Sequence, residues 1–520
     1  MASFNEIKTR NVIPNWRSYK KTGELGEFRD VRAKLSGEGF VFPIDDYVYD
    51  WRHNKSLAFA GDLLSAAIMN GQSNNPDAIE AAKFIIGHKD EASKLLLRTA
   101  ESLLPQKQSV LVKTETINEK LNSVFEQEEL LRQRIRTLKK AKDFCYYNPI
   151  VYCELARCYT ILGQQDKAEE MMNIALHLAP THRYISRSAA RLFLHLGDHD
   201  KAHYIVSHNP RILKDPWLMA TEIGINTLDN RSSRFIKKGM EVIGSQNYSP
   251  FSTSELASAI GSIEMMNGKR KSCRSYMNIA LLDPNDNSFA QAQWLVSGNK
   301  DLKLNFANTG QIHAKSEADS IIAYETNRYD DALSFGIDWI EDMPFTRRPI
   351  QFASNMAYTY VKNYDAAIRI LRFGLNSNPQ DALLLNNLAY AYSLNNQPQN
   401  AIETLDQIPK GTKLPDYLQV CIIATRGMAE YRRGNSVEGE RLYLESMKAA
   451  NDLSIPGYKK ELLSKALLNY IREQALAKQT IDEKLVNKIE QIPIGDDKDM
   501  SQLKADALAA LKDSQQFVWK

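Results

Sequence analysis

The stretch from Asn148 to Pro180, NPIVYCELARCYTILGQQDKAEEMMNIALHLAP, constrains the fold more than any other part of the chain. Apolar residues recur at helical spacing on both sides of Gly163, which predicts two short helices joined by a tight turn. Ala156 and Ala168 fall where the two helices approach most closely, and a larger side chain at either place would force them apart. Tyr152, Leu155, Tyr159 and Met172 fill the space on either side. Pro180 ends the second helix because it has no amide hydrogen and its ring clashes with the preceding turn. One such hairpin cannot bury its own apolar faces, so neighbours must stack on it.

Tyr152, Leu155, Ala156, Tyr159, Gly163, Ala168, Met172, Ala175 and Pro180 occupy the signature positions of a unit of about 34 residues, and in this the chain resembles the tetratricopeptide-repeat family. A second unit keeps Ala190, Phe193, Gly197 and Ala202. A third, around Trp217 to Ile243, is too degenerate to place, and a fourth returns with Gly261, Gly268, Met277, Ala280 and Pro284. The pentapeptide Met-Asn-Ile-Ala-Leu at 172–176 recurs at 277–281, which is internal repetition independent of any family pattern. Ala332, Ala367 and Ala401 then follow one another at single-repeat intervals, and an eighth unit has Gly427, Gly434 and Gly439.

The expected fold class is therefore all-α: an α-solenoid of helix-turn-helix repeats. The expected organisation is an irregular N-terminal arm (1–54) packed on the helices and a helical region ending in a long basic helix (55–147). Repeats follow at 148–294, an interruption at 295–317, further repeats at 318–450 and capping helices at 451–520. Asn75-Pro76 reads as a helix start, with Asn as cap and Pro in the first turn. The resemblance implies a right-handed superhelix whose concave face, made by the first helix of each pair, holds a peptide or protein partner. On that face it places Arg157, Arg187 and Arg191, and further along Asn386, Asn387 and Tyr390. Arginines along a groove offer forked donors to carboxylates or phosphates. The plainer reading is that these side chains solvate the groove or link adjacent repeats.

The formal net charge of the 520-residue chain is only +3, which argues against a general nucleic-acid coat. Any basic site must be local, and one is present: Arg132, Arg134, Arg136, Lys139, Lys140 and Lys142 crowd the second half of the helix expected at 117–144, whose first half carries Glu126, Glu128 and Glu129. Acid first and base last also suits the helix dipole, so a solvated helix competes with a phosphate-binding patch. Five cysteines, an odd number outside Cys-x-x-Cys pairs, fit a reducing compartment, and neither a signal peptide nor a membrane-length apolar run is visible. A cytoplasmic protein with no membrane association is expected.

His195, His199 and His203 could be drawn as a metal site, but Gly197 breaks the helix between the first two, so no metal is expected. Phosphate-loop, His-Glu-x-x-His and Gly-x-Ser-x-Gly motifs are missing, which points away from the familiar enzyme classes without excluding a new one. The expectation is a non-catalytic scaffold or adaptor without cofactors that binds a partner protein or peptide. Its architecture is similar to that of bacterial repeat proteins that work beside an enzyme encoded elsewhere. A nucleic-acid-binding repeat protein is the alternative, an enzyme with an unrecognised site a further one, and homo-oligomers remain open.

Overall fold

The computed structural model describes residues 10–18, 44–69, 72, 75–92, 94–104, 116–144, 147–245, 247–306, 312, 314–409, 411, 413–492 and 497–516. Among them the regular structure is helical throughout, so the chain is an all-α protein. No helix of the described residues is long and apolar enough to cross a membrane. Two compact units are present: Met1–Trp16 with Thr116–Met240 and Ser254–Lys520, and Arg17–Glu115 with Glu241–Thr253.

The smaller unit contains α1 (Ile44–His53), α2 (Leu57–Met69), α3 (Pro76–Gly87) and α4 (Lys94–Leu103). Helix α1 lies in a stretch expected to be irregular, and it carries Trp51 into the core of this unit. That side chain is fully buried with Leu63, Leu64 and Ile85, its ring edge-on to Phe84 at 5.3 Å. Asn75 caps α3 as the sequence predicts, its side chain accepting from the Asp77 and Ala78 amides while Pro76 starts the helix.

The larger unit opens on α5 (Ile117–Phe144), where Thr116 and Glu119 cap the helix reciprocally. The Thr116 amide donates to Glu119 at 2.7 Å and the Glu119 amide to the Thr116 hydroxyl at 3.3 Å. Helical hairpins follow: α6 (Pro149–Ile161) with α7 (Gln165–Leu178), α8 (Arg183–His195) with α9 (His199–Ser207), α10 (Pro216–Leu228) with α11 (Ile236–Gly244), and α12 (Pro250–Met266) with α13 (Arg270–Ala280). Helix α14 (Asp286–Gly298) is followed by non-helical chain. The hairpins then resume with α15 (Ser316–Glu325) and α16 (Tyr329–Asp342), α17 (Arg347–Asn355, continued by a π-helical stretch, Met356–Val361) and α18 (Tyr364–Ser377), α19 (Ala382–Leu394) and α20 (Pro398–Asp406), and α21 (Asp416–Arg432) and α22 (Ser436–Asn451). The last helices, α23 (Pro456–Leu476), α24 (Glu483–Gln491) and α25 (Lys498–Gln516), share a core of Leu468, Ile471, Ile489, Met500 and Leu503.

One local device repeats through the array. The turn inside each hairpin holds a residue with positive φ: Gly163, Gly197, Asn230, Gly268, Asn327, Lys362, Asn396 and Gly434, and the same geometry recurs after α23 at Lys478. The amide that follows closes a six-to-one hydrogen bond on the end of the first helix, as from Gln164 to Tyr159 O at 2.9 Å and from Asp198 to Phe193 O at 2.8 Å. Glycine and asparagine dominate because the left-handed region costs them least. The degenerate third unit uses the same closure, with Arg231 N on Asn226 O at 2.8 Å, so Asn230 stands where the better-preserved units have glycine. The turn at Lys362 is one residue wider, Asn363 N reaching Ala357 O, because the π-helical stretch precedes it.

The alanines that sequence placed in the repeat register are fully buried: Ala156, Ala168, Ala190, Ala202 and Ala401 all have no exposed surface. Helix α5 packs along α6, α16 and α18 within the same unit. Lys120 holds Asp338 at 2.7 Å there and Arg369 donates to Asn122 at 2.6 Å.

Candidate functional site

Residues 10–16 of the larger unit form a non-helical stretch, with one tight turn closed from Ile13 N to Asn11 O at 2.9 Å, and lie against helices of the hairpin array. Burial alternates along them: Arg10, Val12, Pro14 and Trp16 are buried, whereas Asn11, Ile13 and Asn15 are partly exposed. That period of two is what an extended chain shows when one edge is pressed into a surface. The helices hold its backbone with side-chain groups. Asn287 Nδ2 donates to Ile13 O at 2.9 Å, Gln291 Nε2 to Arg10 O at 2.9 Å, and Arg157 Nε to Trp16 O at 3.3 Å.

The side chains of the segment enter specific places. The Arg10 guanidinium grips Glu317 with both oxygens engaged, at 2.8 and 3.0 Å, and also donates to Asn287 Oδ1 at 2.6 Å and Gln291 Oε1 at 3.1 Å. Glu317 also accepts from Trp294 Nε1 at 2.9 Å and pairs with Arg348 at 3.3 Å. Burial alone would push this carboxyl up, but Arg10 and Arg348 outweigh it and hold Glu317 at about 2. At the other end Trp16 is fully buried, its ring edge-on to Phe345 at 5.5 Å. Between these anchors the chain passes Gly224 so closely that a β-carbon there would collide with the Val12 carbonyl oxygen. Glycine inside a helix costs about 1 kcal/mol relative to alanine, so its presence at 224 fits a backbone approach rather than helix stability.

The groove arginines named from sequence divide. Arg157 holds the extended segment. Arg191 is 8 % exposed, donates to Thr346 Oγ1 at 3.0 Å and lies over the Phe345 ring at 5.5 Å, next to the Trp16 anchor. Burial lowers its guanidinium to about 10, so it stays charged at neutral pH. Arg187 instead pairs with Glu255 at 2.6 Å and stacks on Trp217 at 4.8 Å, tying three hairpins together.

Asn386 is fully buried and Asn387 nearly so, and both Asn386 polar atoms and Asn387 Oδ1 lack a hydrogen-bond partner among the described residues. Tyr390 is turned inward, its hydroxyl reaching Asn469 at 3.4 Å. The structure does not bring these three to the extended segment.

In the basic helix, Arg134 is paired with the buried Glu154 and Arg136 with Glu129 at 3.4 Å, Arg132 is exposed but engaged, and Lys139 and Lys140 are exposed. Lys142 lies outside the residues whose side chains are described, as do Glu126 and Glu128. Two of the six residues that sequence read as a basic patch, Arg134 and Arg136, are thus drawn into ion pairs.

The three histidines point to separate partners. His195 is edge-on to Phe345 at 5.5 Å, and burial, with Arg191 nearby, lowers it to about 4, so it is neutral. His199 meets Asp229 at 2.5 Å and His203 meets Glu222 at 3.1 Å. No group of three metal-ligating side chains is gathered among the described residues.

Cys153, Cys158, Cys273 and Cys421 are free thiols and buried. Burial pushes Cys153 up to about 12 and Cys158 to about 11, which keeps both protonated and unreactive. These four should resist alkylation by iodoacetamide in the native protein and label on unfolding, as read by peptide mass spectrometry. Rapid native labelling of Cys153 would show that the segment carrying Trp16 does not cover it.

Sequence reasoning passed over Arg10, Val12, Pro14, Trp16, Gly224, Asn287, Gln291 and Glu317. A signal existed in Arg10-x-Val12-x-Pro14-x-Trp16, an alternation of period two with a proline that forbids helix.

Stacked helical hairpins that present their first helices to an extended chain define an all-α repeat protein of the protein-interaction scaffold class. Residues 150–182 match the tetratricopeptide repeat, so the first hairpin, α6 with α7, is a repeat of that kind. No curated protein matches the chain in sequence. Among solved structures, yeast Tom70 is 16 % identical, with 77 % of this chain and 95 % of that chain covered and a TM-score of 0.31. The human IFIT1 dimer with PPP-AAAA is 13 % identical over 96 % of this chain and 97 % of that one, at a TM-score of 0.28. The P58(IPK) TPR domain is 13 % identical, covering 68 % and 99 % respectively, at 0.19.

Proposed function

We infer that the protein is a non-catalytic scaffold or adaptor that binds an extended segment of a partner protein along the faces of its first helices. The observation that supports this is the holding of backbone carbonyls by Asn287, Gln291 and Arg157. Side-chain donors aimed at main-chain oxygens recognise any extended chain in that register, and the pockets beside them supply the selectivity. The partner fits the class of an effector enzyme encoded separately, working in the cytoplasm. The pairing of Arg134 and Arg136 with carboxylates weighs against the basic helix as a phosphate site.

The test is affinity purification of the full chain from its native host, with mass spectrometry and an absorbance ratio for bound nucleic acid. A stoichiometric protein is expected, lost in the Asn287→Ala/Gln291→Ala double variant with the helical circular dichroism spectrum retained. A preparation rich in nucleic acid and free of a second protein would overturn the scaffold reading.

A further inference from the structure

We propose that residues 10–16 are an internal ligand of the groove, and that a partner binds by displacing them with an extended segment of the same chemistry: an arginine, alternate small or branched apolar residues, and a tryptophan six positions after the arginine. This rests on the reading of the groove as a peptide site.

Three features of the segment's surroundings carry the inference. First, the contacts are those of a ligand rather than of a core strand. The segment has no strand partner among the described residues: side chains from α6 and α14 take the carbonyls of Arg10, Ile13 and Trp16, and that of Asn11 accepts from the segment's own Ile13 amide. Second, recognition is concentrated at two anchors with polar selectivity between them. The Glu317 site takes a guanidinium as a bidentate fork, with Asn287 and Gln291 collecting its remaining donors, which a lysine ammonium cannot reproduce. The Phe345 site takes a large flat ring beside Arg191 and His195. Third, Gly224 gives the passing backbone its clearance, a requirement set by whatever extended chain lies there.

A ligand carried on the same chain competes intramolecularly, at a higher effective concentration than the same segment free in solution. The arm therefore sets a threshold: only a partner segment that matches both anchors, or is delivered at high local concentration, gains the groove. Asn15, partly exposed and bonded to Asp286 at 2.6 Å, lies beside the Trp16 anchor and belongs to the edge at which displacement can start.

The test uses a fluorescent peptide of residues 8–18, KTRNVIPNWRS, and the full-length protein. Fluorescence anisotropy should show at least tenfold tighter binding to the Arg10→Ala/Trp16→Ala chain than to the wild type, because the arm no longer competes. Adding Gly224→Val to that variant should abolish binding, since the new side chain occupies the path of the peptide backbone. Equal binding to wild type and variant would overturn the proposal, as would no binding to a variant whose circular dichroism and melting are those of a folded protein.

Because loss of Trp16 removes a fully buried side chain, a second form keeps the question answerable. A protease site inserted between residues 18 and 44 is cut after folding, leaving the arm in place without its tether. Excess labelled peptide should then exchange for the released fragment while helicity is unchanged. An arm that cannot be exchanged from the cut protein, or whose departure unfolds it, is a structural strap and the proposal fails. A peptide that exchanges in a protein with no partner in the host would leave the internal ligand standing and remove the scaffold reading. A partner that depends on Asn287 and Gln291 while the peptide fails to bind would do the reverse.

Discussion

Replacing Glu317 by alanine is expected to destabilise the protein by about 3–5 kcal/mol, the usual cost of leaving buried positive charge without its partner. The side chains of Arg10 and Glu317 are 3 % and 10 % exposed, and Arg348 and Trp294 converge on the same carboxylate. Its removal strands two guanidiniums and an indole donor at once. Urea denaturation of the wild type and the variant measures the difference. A loss below about 1 kcal/mol, the range of a surface pair, would show that water reaches the site freely.

The same carboxylate makes a prediction in pH. The groups facing it are Arg10, Arg348 and Trp294, with only positive charge among them, and its folded value of about 2 lies below the ordinary 4.5. A depressed carboxylate contributes stability that is complete above the unfolded value and is lost as pH falls toward the folded one. The advantage of wild type over Glu317→Gln, on the order of 3 kcal/mol at neutral pH, should therefore shrink between about pH 4.5 and pH 2. Parallel stability curves across that window would mean that the charge on Glu317 is not what holds Arg10.

Ala168→Trp is the second large effect, expected to cost on the order of 3 kcal/mol or more, at the severe end of core overpacking. Ala168 lies in the first turn of α7 with no exposed surface, and Ala156 of α6, the helix that α7 packs on, is fully buried as well. An indole there must push the two helices apart. Because stability in a repeat array is approximately a sum over units and their neighbours, protection from hydrogen exchange should fall first in α6 to α9 and least in α21 to α25. Ala401→Trp should act alike on α19 and α20. An unchanged melting temperature for either would mean that the hairpin contact lies elsewhere.

The repeat architecture was legible in the sequence because its determinants are local. Ala156 and Ala168 sit at fixed distances from Gly163, and the whole hairpin is decided within one unit by helical period, tight-contact residues and turn chemistry. Asn75-Pro76 gave a helix start for the same reason. The third hairpin escaped because Ile223 and Phe235 stand about its turn where Ala156 and Ala168 stand about Gly163, so the small contact residues are missing as well as the glycine that asparagine replaces at 230. The left-handed turn tolerates both, so the geometry persists where the signature fades.

The candidate site was only half legible. Arg157 and Arg191 were named for the groove, yet nothing local could show that Arg187 would be spent on Glu255, in a hairpin two further along the array, or that Asn386 would be sealed inside. The occupant of the groove lies further still beyond sequence. Arg10 meets Glu317 across 307 residues, and that meeting exists only once the stacked helices have set Asn287, Gln291 and Glu317 along one face. What the sequence by itself determined is the repeating unit, because each hairpin satisfies its own backbone and tight contacts within a few turns of chain. What only the tertiary structure decided is which charges are paired and which chain fills the groove, because burial and distance between residues hundreds of positions apart are set by the stacking of all the units together.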